Sequence, residues 1–258
     1  MIKMPLTQPW LPFGDGSADV SARMYCLPFA GGGASNFAAW RKLHPAIGVG
    51  PIQYPGHETR LAEPPVRSMK EMVGQIADVI AARLDRPYLL FGYSMGARIA
   101  FALIHNLVAR GLPAPAALIV AAHRPPDRIS NALHAADLPD AELKEVLRNY
   151  GGMPAELLDD DDFCAMILPV MRADFAMAAH AVELAPIDCP IIAYAGAQDT
   201  KASAEDMKGW ATFTTGAFHL KEFAGGHFFL RTAPDFEARL KADMAASLSL
   251  TPEHLVSD

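Results

Sequence analysis

The chain has 258 residues, of which 51% are hydrophobic, and a formal net charge of −7 at pH 7. That length suits one α/β domain with room for an inserted subdomain, and the charge argues against nucleic acid or an anionic membrane as a partner. No apolar run is long enough to cross a bilayer, the N-terminus has no secretory h-region, and the three cysteines form no CxxC pair. We therefore expect a reduced, cytoplasmic location.

Apolar strands alternate with helices over residues 24–122, after a Pro- and Gly-containing arm at residues 1–23. Ser68 with Glu71 predicts a capping box at the start of one helix. A glycine-rich segment at residues 29–35 follows the first strand, but it lacks the G-K-[ST] of a phosphate loop and the G-x-G-x-x-G of a dinucleotide-binding turn. Such alternation predicts a parallel, doubly wound α/β sheet.

One pentapeptide, Gly92-Tyr93-Ser94-Met95-Gly96, lies between an apolar strand and an apolar helix. A strand, G-x-S-x-G and a helix together are the context of a nucleophile elbow, in which a tight turn exposes the serine above the sheet. We predict that Ser94 is the nucleophile. The backbone N–H groups of Met95 and of either Phe29 or Ala30 are the predicted oxyanion hole, and the sequence does not choose between the last two.

The alternation stops after residue 126 and resumes at about residue 186. Between them, helical patterns cover residues 138–150 and 161–181, with an apolar stripe in the second. We expect an α/β core of residues 1–126 and 186–258 with a helical insertion of residues 127–185, which the family resemblance given below implies to be a lid. The acidic run at residues 159–162 suits a solvated helix start, and no metal-ligand spacing occurs among the histidines and cysteines, so we predict no metal.

Two further residues complete a candidate catalytic triad. Asp199 lies in a turn just past the apolar strand of residues 189–195, and His227 lies in a glycine-rich loop. The chain order Ser94, Asp199, His227 is that of the α/β-hydrolase triad. His227 would take the Ser94 proton and return it to the leaving group, and Asp199 would orient the imidazole and stabilise its cation.

Other titratable residues fit these roles less well. Asp188 precedes its strand, and His219 falls inside a strand pattern. His57 lies in a polar loop upstream of the nucleophile, against the hydrolase order, where a structural or solvated histidine is the usual occupant. The remaining rivals, which we also set aside, are His123, His180 and Cys26.

The chain resembles the type II thioesterases, stand-alone editing hydrolases of nonribosomal peptide and polyketide synthesis. The resemblance covers nearly the whole chain, and its most specific segments are Leu168–Phe175 and Gly225–Leu230. The other matching segments are residues 26–32, Tyr54-Pro55-Gly56 and the elbow. Two departures occur: His57-Glu58-Thr59-Arg60 stands where the family usually carries an arginine, and Gln198 precedes Asp199 where a second acid is common.

This resemblance implies an α/β-hydrolase that removes acyl or aminoacyl groups from the phosphopantetheine arm of carrier-protein domains, with a mobile lid and no cofactor of its own. Two alternatives stay open: a general carboxylesterase, lipase or haloperoxidase-like hydrolase of the same fold, and a catalytically idle module that binds a synthase. A terminal domain cut from a synthase is less expected, because the chain starts with its own methionine arm. We expect a monomer.

Overall fold

The computed structural model describes residues 9–128 and 131–249, and the side chains of all of these except residues 131–133. Residues 1–8 of the predicted arm and the tail from Thr251 lie outside the described residues. The strands are β1 (Ala22–Leu27), β2 (Ile47–Pro51), β3 (Tyr88–Tyr93), β4 (Ala117–Ala121), β5 (Ile191–Gly196) and β6 (Phe218–Phe223). The α-helices are α1 (Met69–Ala81), α2 (Met95–Ala109), α3 (Asp140–Tyr150), α4 (Asp161–Ala179), α5 (Ala204–Lys208), α6 (Phe229–Thr232) and α7 (Phe236–Ser247).

The six described strands form one sheet in the order β2-β1-β3-β4-β5-β6, and each neighbouring pair is parallel. The strand order reverses at β1, which pairs with both β2 and β3. In an open parallel sheet, such a reversal leaves a crevice beyond the carboxyl ends of the strands. The glycine-rich segment after β1 and the elbow after β3 both lie at this crevice. The predicted parallel α/β sheet is thus confirmed.

Side chains of each central strand alternate between two apolar layers. In β1, Tyr25 and Leu27 join the layer that holds α1 and α2, while Met24 and Cys26 join the layer that holds α7. Residues on both faces are buried, which explains why these strands are apolar almost throughout. Packing on both faces therefore fixes the strands in place, and the loops that follow their carboxyl ends start from fixed points.

The segment between β4 and β5 builds a third, separate apolar cluster from α3, α4 and two 3₁₀ turns. Its buried members include Leu143, Leu147, Leu158, Leu168 and Phe175. The predicted stripe on α4 divides between two environments. Val170 and Met171 are buried, whereas Met166 is 42% exposed.

Several predicted boundaries shift. β1 begins at Ala22 inside the predicted arm, and the element after the glycine-rich segment is a 3₁₀ helix, Ala34–Lys42. At α1, the Ser68 hydroxyl accepts the Glu71 N–H at 3.4 Å, which is one half of the predicted capping box. None of the helices in the described part of the chain is long and apolar enough to cross a membrane.

Candidate active site

The elbow places Ser94 between β3 and α2 with φ +51° and ψ −120°, a conformation rare for a residue with a side chain. Its N–H donates to the Ala121 carbonyl at 2.8 Å. The flanking glycines are required by space. A Cβ on Gly96 would lie 2.0 Å from the Leu27 oxygen, and one on Gly92 would lie 2.4 Å from the Ala97 Cα. The turn therefore packs directly on the end of β1.

The structure brings Ser94, His227 and Asp199 together. His227 Nδ1 lies 2.9 Å from Asp199 Oδ2, and His227 Nε2 lies 3.1 Å from Ser94 Oγ. A carboxylate can only accept, so Nδ1 carries the proton toward Asp199 and Nε2 is left to accept the Ser94 O–H. The other Asp199 oxygen accepts the N–H groups of Lys201 and Ala202 at 2.8 and 3.2 Å. This tautomer is the one that a general base requires.

The acid loop and the histidine loop are tied to each other. The Gln198 N–H donates to the Gly225 carbonyl at 2.9 Å, and the Gly225 N–H donates to Gln198 Oε1 at 2.6 Å. The Tyr93 hydroxyl, next to the nucleophile, donates to the His227 carbonyl at 2.7 Å. Gln198, a departure from the resembled family, therefore cross-links the two loops that carry Asp199 and His227.

The predicted oxyanion residues line the same cavity as Ser94. Met95 is the first residue of α2, so its N–H has no acceptor one turn earlier in the helix. Phe29 and Ala30 lie after β1 and line the same cavity as Ser94 and Met95. The N–H of the next residue, Gly31, is already committed, because it donates to Asp174 Oδ2 at 2.7 Å.

A cavity of about 450 Å³ opens at Ser94 and His227. Its walls are largely apolar, and most of the apolar side chains in them come from the segment between β4 and β5. The apolar residues that this segment contributes include Leu147, Met153, Phe163, Ile167, Met171 and Phe175. Three cationic side chains also line it: Arg124, Lys201 and Arg231. Such a chamber fits an apolar group of modest size, with its reactive carbonyl at the serine.

The rival residues occupy other places. Asp188 accepts a hydrogen bond from Thr215 Oγ1 at 2.8 Å. His123 lines the cavity, but its Nδ1 donates to the Arg124 carbonyl, and burial lowers its pKa to about 4, so it remains neutral. Cys26 is buried within β1, and burial raises the pKa of its thiol.

Sequence reasoning missed the contacts by which three polar residues connect the helical segment to the sheet. Arg98 of α2 is buried and donates to the carbonyls of Pro126 and His180, both at 3.0 Å. His57 and Asp174 form a buried pair, with Nε2 and Oδ2 2.9 Å apart. An arginine in an otherwise apolar elbow helix was the available signal for Arg98, whereas nothing in the sequence pairs His57 with Asp174.

No group of three or more His, Cys, Asp or Glu within residues 9–128 and 131–249 is arranged to hold a metal ion. Where side chains are described, the three cysteines are free and buried.

Comparison with known proteins agrees with the fold. The thioesterase domain model matches residues 22–241. The gramicidin S biosynthesis protein GrsT of Aneurinibacillus migulanus is 31% identical over 224 residues, which cover 86% of this chain and 88% of that protein. Two solved structures are also similar. RedJ, a thioesterase of the prodiginine pathway of Streptomyces coelicolor, is 34% identical with a TM-score of 0.81 and covers 90% of this chain and 87% of its own. The type II thioesterase BorB of the borrelidin biosynthetic cluster is 31% identical with a TM-score of 0.80, covering 94% and 98%.

The sheet order, the elbow and these neighbours define an enzyme of the α/β-hydrolase fold. More narrowly, the chain belongs to the thioesterase family, and it is a hydrolase that acts on thioesters. The resemblance to type II thioesterases of nonribosomal peptide and polyketide pathways is confirmed by these relatives.

Proposed function

We propose that this protein hydrolyses acyl and aminoacyl thioesters from the phosphopantetheine arm of carrier-protein domains, and so clears stalled or misprimed units from a synthase. The observation that carries the proposal is the hydrogen-bonded set of Ser94, His227 and Asp199, with its two contacts of 3.1 and 2.9 Å, of which Ser94 and His227 line a largely apolar cavity. Similarity to enzymes of such pathways supports the choice of substrate.

In the proposed reaction, Ser94 Oγ attacks the thioester carbonyl while His227 Nε2 takes its proton. Negative charge on the carbonyl oxygen is held by the N–H groups of Met95 and of Phe29 or Ala30. The C–S bond then breaks, and the thiol leaves with the proton from His227. A water molecule, deprotonated by His227, then attacks the acyl-Ser94 ester. As the ester bond breaks and the acid is released, His227 returns that proton to Ser94 Oγ. None of these steps calls for a cofactor.

The charge at the cavity supports a carrier-borne substrate. Arg124, Lys201 and Arg231 line it, and a phosphopantetheine arm is attached to its carrier through an anionic phosphodiester. Cationic side chains at the mouth of a cavity attract such a group. The overall charge of −7 therefore does not exclude an acidic carrier, because local charge governs docking.

We further propose that residues 127–185 form a mobile lid over a core of residues 1–126 and 186–258. Support comes from the separate apolar cluster of that segment and from its contribution to the cavity wall. Met153 and Met171 in the wall suit a chamber that accepts varied short acyl groups, because thioether side chains adapt their shape. Steep discrimination between acetyl and butyryl carriers would count against that tolerance.

The proposal is tested by mass spectrometry of an acetyl-loaded carrier protein, incubated with the wild type or with Ser94→Ala. We expect the acetyl mass to disappear and the free phosphopantetheine thiol to return only with the wild type. An untouched carrier in both samples would contradict the proposal.

A general carboxylesterase is the second candidate, because an apolar cavity binds an acyl chain whether the leaving group is a thiol or an alcohol. Hydrolysis of an acyl-carrier thioester is compared with that of an oxoester of the same chain length. Equal kcat/KM for the two would favour the esterase. A fluorophosphonate probe should label Ser94 and fail to label Ser94→Ala; no labelling of the wild type would favour the idle module.

A further inference from the structure

The predicted oxyanion loop, residues 29–35, is held by the helical segment as well as by the core. Gly31 has φ +72°, and its N–H donates to Asp174 Oδ2 at 2.7 Å. Asp174 lies on α4, 143 residues away in the chain. One turn earlier on the same helix, the Met171 sulfur packs so closely that a Cβ on Gly31 would lie 2.6 Å from it. One face of α4 thus fixes Gly31 by a hydrogen bond and by packing.

The same Asp174 oxygen contacts a second group, His57 Nε2, at 2.9 Å. The other ring nitrogen, Nδ1, lies 2.9 Å from the Pro55 carbonyl oxygen. Both partners are acceptors, so the imidazolium, which donates from both nitrogens, is the form of His57 that satisfies both contacts. His57 is 3% exposed and Asp174 is 1% exposed. A buried carboxylate is retained only when it is paired, and His57 supplies the positive charge.

The opposite end of the loop is held from the core. Glu58, the neighbour of His57, accepts the Ser35 N–H at 3.2 Å and the Ser35 hydroxyl at 2.5 Å. The His57–Glu58 segment therefore reaches the loop twice: directly through Glu58, and through Asp174 at Gly31. Only the Gly31 contact depends on the position of α4.

We propose that Asp174, paired with His57, is a positioning residue that ties α4 to the oxyanion loop, so that the Phe29 and Ala30 N–H groups reach their working positions only when α4 is seated. This inference rests on the oxyanion role proposed above. Asp174 does not touch the reacting atoms; it acts through Gly31. Misplacement of an oxyanion donor slows the reaction. The chemical step, as well as the enclosure of the substrate, therefore requires that α4 is in contact with Gly31.

Three variants test this. Asp174→Leu keeps the branched outline of the side chain, with larger methyl groups in place of the two oxygens, and removes the acceptor. In Asp174→Asn, by contrast, the amide oxygen can replace Oδ2 and keep the Gly31 bond. The control, Asp243→Asn, alters another buried carboxylate, which lies on α7 and bonds Tyr194 and Lys221. With acetyl-N-acetylcysteamine as substrate, we expect Asp174→Leu to lower kcat by about tenfold or more, with KM changed about twofold at most. Asp174→Asn should retain more than about a third of wild-type kcat.

A pH profile provides a second readout in the conservative variant. The groups that face His57 are Asp174 from α4, Glu58 beside it in the chain, the Pro55 carbonyl and the Tyr54 ring. In the wild type, loss of the His57 proton at alkaline pH removes the cation that holds Asp174, so kcat should fall on that side. In Asp174→Asn there is no charge pair to lose, and this alkaline fall should be absent.

Unchanged kcat in Asp174→Leu, equal losses in Asp174→Leu and Asp243→Asn, or the same alkaline fall in wild type and Asp174→Asn would each overturn the inference. Failure of the proposed function is distinguished by Ser94→Ala. If that variant still turns over substrate, the nucleophile is wrong; if it is inactive while Asp174→Leu is normal, only the positioning role is wrong.

Discussion

The sheet and the helical segment over it hold their parts of the site in different ways. Ser94, Asp199 and His227 all lie directly after strands or in loops that are joined by hydrogen bonds, such as the two between Gln198 and Gly225, one from backbone to backbone and one from backbone to side chain. The helical segment contacts the core through side chains, among them Arg98, Asp174 and Met171. Met177 of α4 is itself buried in the layer that holds α1 and α2.

This difference shows how one chain can combine a rigidly held candidate triad with the mobile lid that we propose. Atoms that transfer protons must stay within a fraction of an ångström of their partners, and a buried parallel sheet provides that. A wall built on its own small apolar cluster can move as a unit when few contacts are broken. Each prediction below disturbs one of the two regions and measures whether the other responds.

The largest effect is expected in the core, at Asp199. Asp199→Asn keeps the shape of the side chain but allows the amide to donate to His227 Nδ1, which leaves the wrong nitrogen facing Ser94. We expect kcat for acetyl-carrier hydrolysis to fall by about 10⁴-fold. The rate of proteolysis within residues 127–185 should stay unchanged. Asp188→Asn, at the rival acid on the other side of β5, is the control and should keep wild-type kcat. A loss below about tenfold in Asp199→Asn would contradict the assigned role.

The next effect concerns the attachment of the helical segment. Arg98→Met removes the donors to the Pro126 and His180 carbonyls, at the two ends of that segment. We expect a loss of about 1–3 kcal/mol in unfolding free energy and faster proteolysis within residues 127–185. Urea unfolding and mapped limited proteolysis measure the two.

Arg110→Met is the matched control, since that side chain, farther along the chain at the end of α2, makes an exposed ion pair with Asp78. Such a pair contributes at most about 1 kcal/mol. If both variants gave the same cleavage pattern as the wild type, Arg98 would not be what holds the lid ends.

A third effect is the pH dependence of the His57–Asp174 contact. Burial lowers the pKa of His57, but the charge and hydrogen bond of Asp174, with the Pro55 carbonyl, outweigh it and raise that pKa from 6.5. A raised pKa in the folded state means that the stability from this proton is fully present below pH 6.5 and is lost as pH rises through the folded value.

The unfolding free energy of the wild type should therefore fall across that window more than that of the His57→Gln/Asp174→Asn double variant. Chemical denaturation at a series of pH values compares them. Parallel curves for the two proteins would show that the pair does not titrate with folding.

The smallest effects come from two glycines, one in each region. An added Cβ at Gly74 in α1 meets only Arg110 Nη2, at 3.8 Å, and one at Gly151 after α3 meets nothing within 4 Å. Gly74 is helical, so Gly74→Ala should stabilise the protein by about 0.5–1 kcal/mol. Gly151 has φ +69°, so Gly151→Ala should destabilise it by about 1–2 kcal/mol despite the open space. Thermal unfolding gives both signs; a stabilising Gly151→Ala would contradict the reading of that turn.

The sequence predicted the sheet and its candidate triad better than it predicted the contacts between the sheet and the helical segment, and the reason is physical. Ser94, Asp199 and His227 lie in short segments at strand ends, and parallel strands bring such ends to one edge. The order of residues along the chain was therefore enough to group them. His57 was expected to be structural or solvated, and its burial in the structure agrees with the first of these.

The partner of His57 was not predictable. Asp174 lies 117 residues further along, on a helix whose orientation depends on a cluster of apolar contacts rather than on any local motif. For a related reason, the sequence did not say which residues of the α4 stripe are buried and which line the cavity. Part of that helix faces the cavity, and an apolar residue reads the same in sequence whether it packs in a core or lines an empty chamber.

The pairing of β4 with β5 has a consequence for how the molecule is made. These strands are adjacent in the sheet, yet residues 122–190 separate them in the chain. Pairing across such a distance forms slowly, because the entropy cost of closing a long loop comes before the strand contacts contribute any favourable free energy. During synthesis Ser94 emerges well before Asp199 and His227, which activate it in the proposed triad. The growing chain therefore carries an inert hydroxyl until its last third has joined the sheet, so hydrolytic activity and completion of folding arrive together.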